Sequence, residues 1–303
     1  MSLQGSLSIG RMCQLTQVSR AGFYRALEPG EDHAEEMEVR SVMQQIVLEH
    51  RRRYGYRRVT AELRRRGLVV NHKRVQRLMR EDNLLALKRR AFVNTTDSKH
   101  QLGVSLNLAG RMQLTGINQL WVADITYLRL KSEFVYLAVV LDAFSRRVVG
   151  WALERNLTTG LTKRALERAI ATRRPAPGLV HHSDRGVQYA AHDYVQLLGQ
   201  HQMIPSMSRP ANPYDNASCE SFMKTLKQEE INVNNYGDLE ELRSNIETFI
   251  EQYYNHCRLH SALGYQPPVE FEENLEPTYR GATMTFFSHP SHYRPTRSKQ
   301  QLC

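Results

Sequence analysis

Three consecutive stretches, "LWVADITYLRL", "EFVYLAVVLDAF" and "RRVVGWALERN", are rich in β-branched and aromatic residues and are separated only by Lys131-Ser132 and Ser145-Arg146. Such runs with short polar joints predict an antiparallel meander. After them the period changes. "TGLTKRALERAIATRR" places Leu161, Ala165, Leu166, Ala169 and Ile170 on one side of a helix, and "PAPG" ends it. The remaining pattern reads as a strand at "LVHHSD", a helix at "AAHDYVQLLGQHQ", a short strand at "MIPSMS", and helices at "NASCESFMKTLKQEEI" and "DLEELRSNIETFIEQYYNH". The expected fold is α/β, one mixed five-stranded sheet flanked by helices on both faces.

Upstream the pattern is helical throughout. "YGYRRVTAELRRRGLVVNHKRVQRLMREDNLLA" holds two short helical patterns. Val59 and Leu63 lie in the first, Val75, Leu78 and Met79 in the second, with Gly67 at the corner and Asn71 placed to cap the second. That is a helix-turn-helix pattern whose second helix shows polar and basic residues on its outer side. Lys73, Arg74, Gln76, Arg77 and Arg80 are the candidate DNA contacts, because arginine forks suit guanine edges and lysines suit phosphates. A weaker echo, "SIGRMCQLTQVSRAGFYRAL", reads as helix, turn, helix with Ser19 as a cap. Residues 36 to 50 read as an amphipathic helix using Met37, Val39, Met43, Ile46 and Val47.

Charge sharpens this division. The 303 residues carry 41 Lys and Arg against 31 Asp and Glu. Of these, 15 basic and 3 acidic residues fall between positions 51 and 90, so the rest of the chain is slightly acidic. A basic block laced with regular apolar positions is a folded module that meets polyanions, rather than a solvated tail. The expected organisation is an N-terminal helical region over 1–50, the basic module over 51–92, a linker over 93–117 rich in Thr, Ser, Asn and Gly, an α/β domain over 118–275, and a tail over 276–303. Four scattered cysteines without a C-x-x-C pair suggest neither a disulfide framework nor a zinc finger. With no run of roughly 18 to 20 apolar residues and no leader pattern, the expectation is a soluble cytoplasmic protein that does not meet a membrane.

Three acids stand where chemistry could use them. Asp124 interrupts the first strand, where a carboxylate among apolar neighbours is costly unless neutralised. Asp184 follows the fourth strand in "HHSDRGVQYA", before Gly186, which would let the chain turn sharply. Glu220 lies near the start of the helix opened by "NPYDNA", where a negative charge is favoured. If these segments meet, the three carboxylates repel and call for hard divalent ions, magnesium or manganese. Two such ions about 3.5 to 4 Å apart serve phosphodiester chemistry. Lys224 and Lys227 share a helical face with Glu220 and could hold DNA phosphates or form salt bridges. Asn216 reads first as a helix cap. Asp142 and Glu154 read as structural, Trp121 and Trp151 as core, and at most one of His181 and His182 as lining a site.

Together "YGYRRVTAELRRRG", "WVADITYL", "YLAVVLDAFSRRVVGWAL", "HHSDRGVQY", "NPYDNASCESFMKTLK" and "YYNHCRLHSALGYQPPVEF" resemble the second-frame transposases of the IS-three family of insertion sequences, in the integrase superfamily with a DDE triad. The resemblance spans roughly residues 50 to 272 and implies an RNase H-like core. It implies that Asp124, Asp184 and Glu220 hold two magnesium (or manganese) ions and that the reaction is DNA strand cleavage followed by strand transfer. It also implies as partners the element's terminal inverted repeats and target DNA, a homo-oligomer assembled on DNA, an upstream-frame protein or fusion, and a nucleoid-associated place in a bacterial cytoplasm. The alternative is a catalytically silent DNA-binding regulator derived from such an enzyme.

Overall fold

The computed structural model describes residues 8–27, 31–86, 105–131, 133–208 and 216–275. The chain divides into two compact units, residues 1–88 and 89–303.

The first unit is entirely helical: α1 (Ile9–Thr16), α2 (Arg20–Leu27), α3 (Glu31–Glu49), α4 (Tyr56–Arg65) and α5 (His72–Glu81). Ser8 caps α1, and the Ser19 hydroxyl accepts the backbone N–H of Gly22 at 3.0 Å at the start of α2. The turn between α4 and α5 passes through Gly67 at φ +87°, and Asn71 caps α5 by accepting the Lys73 N–H at 2.8 Å. Val59 and Leu63 of α4 and Val75, Leu78 and Met79 of α5 are fully buried, as are Met43 and Ile46 of α3. The helix expected from residue 36 begins at Glu31, and Met37 is 72% exposed. Its position explains this: two residues before Val39 is about 200° around a helix, off the Val39–Met43–Ile46–Val47 stripe. The Pro29-Gly30 break lies outside the described residues.

The second unit is built on a sheet of β1 (Leu120–Arg129), β2 (Phe134–Asp142), β3 (Val148–Glu154), β4 (Val180–Ser183) and β5 (Ile204–Met207), in the order β3-β2-β1-β4-β5. The first three strands form the antiparallel meander, and β4 and β5 run parallel to β1. Arg146, at φ +62°, makes the turn between β2 and β3. One face packs α6 (Thr159–Arg173), α7 (Val187–Ala190) and α8 (His192–Gln200) over Trp121, Ala123, Ala138 and Val140. The other packs α9 (Ala217–Glu229) and α10 (Leu239–Glu247) over Val122, Leu128, Val139 and Trp151. This is the mixed five-stranded, helix-flanked α/β architecture of an RNase H-like core, preceded by an all-helical region. The helix expected over 190–202 is split at Ala191, which is extended (φ −64°, ψ 141°).

The long final helix is not uniform. After α10 the backbone widens into a π-helix over Thr248–Tyr254, and α11 (Pro268–Glu273) follows a loop. Beyond the π turns, Asn255 uses both ends of its amide on the backbone of Val148. Its Oδ1 accepts the Val148 N–H at 3.1 Å and its Nδ2 donates to the Val148 carbonyl at 3.0 Å. These bonds meet the sheet next to the β-bulge at Val140/Leu141. Leu108, Ala109, Met112 and Leu114, within the segment expected to be a linker, pack against the core, and the Leu108 N–H donates to Ser206 Oγ at 2.9 Å. Residues 93–104 and the expected tail, 276–303, lie outside the described residues.

Candidate active site

The parallel strand β4 pairs with β1 only as far as Val122, so the chain leaving β4 stands beside the continuation of β1. That geometry sets Asp184, immediately after β4, near Asp124 in the middle of β1. Glu220 is contributed by the first turn of α9, which crosses the same face as Val122 and Leu128. Asp124 is half-buried, and its carboxyl is pushed up to about 7, first by burial, then by the charge of Asp184 and, more weakly, of Glu220. The Ile125 N–H, which Asp124 Oδ1 accepts at 2.9 Å, and the charge of Lys227 act in the opposite sense. Asp124 therefore feels both remote carboxylates.

Asp184 is oriented by its own loop. Its Oδ1 accepts the Gly186 N–H at 2.9 Å. Gly186 was expected to supply a sharp turn, but its φ of −62° is open to any residue. What it supplies is space: a Cβ there would stand 2.9 Å from Asp184 Oδ1 and 3.2 Å from Gln188 Oε1. Arg185 reaches the Ser208 carbonyl through Nε at 2.8 Å.

Helix α9 is fixed at both ends. Asn216 does not cap it; its side chain instead donates to the Ala123 carbonyl at 3.1 Å, one residue from Asp124 on β1. Arg146, in the β2–β3 turn, hydrogen-bonds the Ser218 hydroxyl. At the far end Arg258 clasps Glu229 with two bonds, Nε to Oε2 at 2.9 Å and Nη2 to Oε1 at 2.7 Å. Both side chains are nearly buried, 6% and 11% exposed. Of the two lysines expected to face phosphates, Lys224 is exposed. Lys227 is half-buried with its ammonium 4.9 Å from the centre of the Tyr127 ring, and burial lowers its pKa against the pull of Asp124.

Both histidines are buried and tied to neighbouring hydroxyls. His181 shares a hydrogen bond with Tyr194 Oη at 3.0 Å and is pushed down to about 3, first by burial and then by His182. His182 faces the other way, to Ser206 and Ser208 at 2.8 and 3.0 Å. Asp142 is a buried turn brace that accepts the N–H groups of Asn118, Phe144 and Ser145, and Glu154 pairs with Arg164. Trp121 and Trp151 are core.

In the helical unit, Lys73, Arg77 and Arg80 of α5 are exposed, while Arg74 and Gln76 are half-buried. Arg74 stands 3.5 Å from Glu35 and 3.7 Å from Glu36, and Arg77 stands 3.6 Å from both Glu36 and Glu81. The acids of α3 and of α5 itself thus already hold two of the arginines expected to meet DNA.

Among the described residues, no three His, Cys, Asp or Glu side chains stand in ligand geometry around one point. The donor chemistry still fits hard divalent cations: all three groups offer carboxylate oxygens, and burial and the charge of Asp184 raise the Asp124 carboxyl by more than Lys227 offsets.

An "Integrase core domain" family model matches residues 115–213, a second of the same description matches 201–268, and an "HTH-like domain" model matches 33–92. The chain is 38% identical over 265 residues to the 31 kDa protein of insertion element IS600 from Shigella sonnei, covering 86% of this chain and 97% of that one. It is 36% identical over 274 residues to the InsF transposase of insertion sequence IS3A from Escherichia coli K12, covering 89% and 95%. In structure it is similar to a chain of the simian T-cell lymphotropic virus intasome in complex with a PP2A regulatory subunit, with TM-score 0.46, 17% identity, and 82% and 80% of the chains covered. With two such relatives matched along almost their whole length, the chain belongs to the IS-three family of insertion-sequence transposases, whose core is of the DDE integrase type.

Proposed function

We propose that this protein cuts and rejoins DNA strands at the ends of its insertion sequence, using divalent metal ions held by Asp124, Asp184 and Glu220. The observation that carries the reading is the electrostatic one: the charges of Asp184 and Glu220 reach Asp124, itself held near 7. A bound pair of magnesium or manganese ions would neutralise these carboxylates, polarise the scissile phosphodiester and make the attacking water or 3′ hydroxyl a better nucleophile.

The rest of the work belongs to the chain's own residues. Asp124 supplies oxygens from the sheet, Asp184 from the loop that leaves β4, and Glu220 from a helix pinned at both ends. Lys224 and Lys227 screen the phosphates beside the reacting bond. Lys73, Arg74, Gln76, Arg77 and Arg80 meet the terminal inverted repeats, with Arg74 and Arg77 exchanging their acidic neighbours for phosphates. No covalent link between protein and DNA is needed, because water hydrolyses one phosphodiester to a 3′ hydroxyl and a 5′ phosphate, and that hydroxyl then exchanges a second phosphodiester for a new one in line. Two DNA ends must be handled together, so the working form is a homo-oligomer on DNA. The organisation proposed is residues 1–50 as a helical region, 51–92 as the DNA-reading module, 118–275 as the catalytic core and 276–303 as a tail.

The test incubates the protein with labelled element ends and magnesium and follows cleavage and joining. Glu220→Gln is expected to lower both by about 10²-fold, the scale for losing one charge-stabilising group. Joining that survives unchanged in this variant would take Glu220 out of the chemistry, and a wild-type protein that binds the element ends but neither cleaves nor joins them would leave a DNA-binding regulator as the better description. Gly186→Ala is expected to lower joining by about tenfold with the circular dichroism spectrum unchanged, since misplacing a reacting group by a fraction of an ångström weakens catalysis without unfolding the sheet.

A further inference from the structure

Past Asp124 the strand β1 runs into a groove of about 720 Å³. One wall comes from the β1–β2 hairpin, with Tyr127, Arg129, Lys131 and Phe134, and the other from Lys227 and Asn232 at and after the end of α9. Three of the lining residues are cations and none is a carboxylate. Glu230, next in the chain to this wall, is buried and accepts hydrogen bonds from the Tyr236 hydroxyl and Asn234 Nδ2, both at 2.9 Å.

The groove also carries aromatic faces. Phe134 is 51% exposed, so one face of its ring is open to a partner. It stands edge-on to Tyr127, with ring centres 5.8 Å apart, and the Arg129 guanidinium lies 5.9 Å from its centre. Rings flanked by cations, with no acid facing them, hold unpaired nucleic-acid strands: bases stack on the rings while phosphates meet the cations. A paired base is already covered by its neighbours above and below, so an exposed ring favours an unpaired one.

Lys227 joins this groove to the reacting centre, since its ammonium lies over Tyr127 and its charge is felt at Asp124. Along the strand, Tyr127 and Arg129 are about 10 and 17 Å from Asp124, within reach of the few nucleotides next to the reacting one. We propose that the groove is a subsite for a short unpaired DNA segment adjoining the reacting phosphodiester. A base stacks on Phe134, and the flanking phosphates lie against Arg129, Lys131 and Lys227. The assignment rests on the reading of Asp124, Asp184 and Glu220 as the reacting centre.

The experiment measures equilibrium binding of the full chain, by fluorescence anisotropy in EDTA at fixed salt. Two DNAs are compared: a blunt duplex of the element end, and the same duplex with a short unpaired extension containing a fluorescent adenine analogue. Phe134→Ala is expected to weaken binding of the extended DNA by about 5- to 100-fold, the range for losing one base–aromatic stack, and to abolish quenching of the analogue. Binding of the blunt duplex should not change, and Phe134→Trp should keep the preference for the extension. Equal losses on both DNAs would overturn the proposal in favour of a duplex-phosphate surface. Unchanged binding of both DNAs by Phe134→Ala would also overturn it, and a simultaneous loss of self-association in sedimentation would mark the groove as a contact between copies. Because the assay contains no metal and reads binding alone, its outcome does not depend on the chemical roles of the three carboxylates. Failure of the catalytic reading therefore appears in joining by Glu220→Gln, and failure of the subsite in binding by Phe134→Ala.

Discussion

Asp124→Asn is expected to abolish strand joining, by about 10³-fold, the upper range for removing one group that stabilises developing charge, and at the same time to stabilise the metal-free protein above neutral pH. Both effects come from one carboxyl. In the folded chain it titrates near 7 because burial and then Asp184 disfavour its charge, whereas an unfolded aspartate titrates near about 4. Below the unfolded value the group is protonated in both states. As pH rises from about 4 to about 7 the unfolded chain gives up this proton and the folded chain keeps it, so stability falls across that window and levels off above it. A pKa unit is about 1.4 kcal/mol, which makes the total a few kcal/mol. Urea unfolding in EDTA near pH 5 and near pH 8 measures the fall; the variant should lose most of it. Magnesium should raise the wild-type midpoint at the higher pH and leave the variant's almost unmoved. A variant that joins strands at the wild-type rate takes Asp124 out of the chemistry.

Arg258→Met is expected to cost about 3 to 5 kcal/mol of folding stability, the scale for stranding one member of a buried ion pair. Glu229 would be left in a site that is 11% exposed, with its guanidinium clasp gone. The same variant should slow joining, because the helix that loses its far anchor is the one that carries Glu220. The double variant Arg258→Met/Glu229→Leu should recover most of the stability, since an apolar pair of similar volume replaces a desolvated ionic one. Chemical denaturation of the three proteins decides the matter. A single variant within about 1 kcal/mol of wild type would mean that the pair behaves as a solvated surface bridge.

The sheet could be read from the chain because each meander strand carries its own signal, apolar runs with short polar joints, and needs no distant information. Asp124 was conspicuous for the same reason: it interrupts an apolar strand. The opposite facing of His181 and His182 followed from the two-residue period of a strand. Contacts made across the fold were not legible. Asn216 has the composition of a cap, and only the approach of α9 to β1 turns its amide to a carbonyl 93 residues away. The bracing of α9 by Arg258 likewise joins segments whose sequences carry no mark of each other. Gly186 was noticed, but for backbone freedom; the need was room beside a carboxylate. The groove escaped notice because Tyr127, Phe134 and Lys227 are ordinary residues until the hairpin and the end of α9 are brought together.

The widened turns from Thr248 to Tyr254 set a limit on any redesign of this enzyme. A residue in an ordinary helix advances about 100° around the axis, so trimming that segment to a regular spiral would swing everything after it. Asn255 would leave the bulged strand and Arg258 would turn from its acid, two losses from one deletion far from the carboxylates. The irregular stretch thus works as a spacer cut to length, and tidying the backbone there would loosen the helix that carries Glu220 from behind.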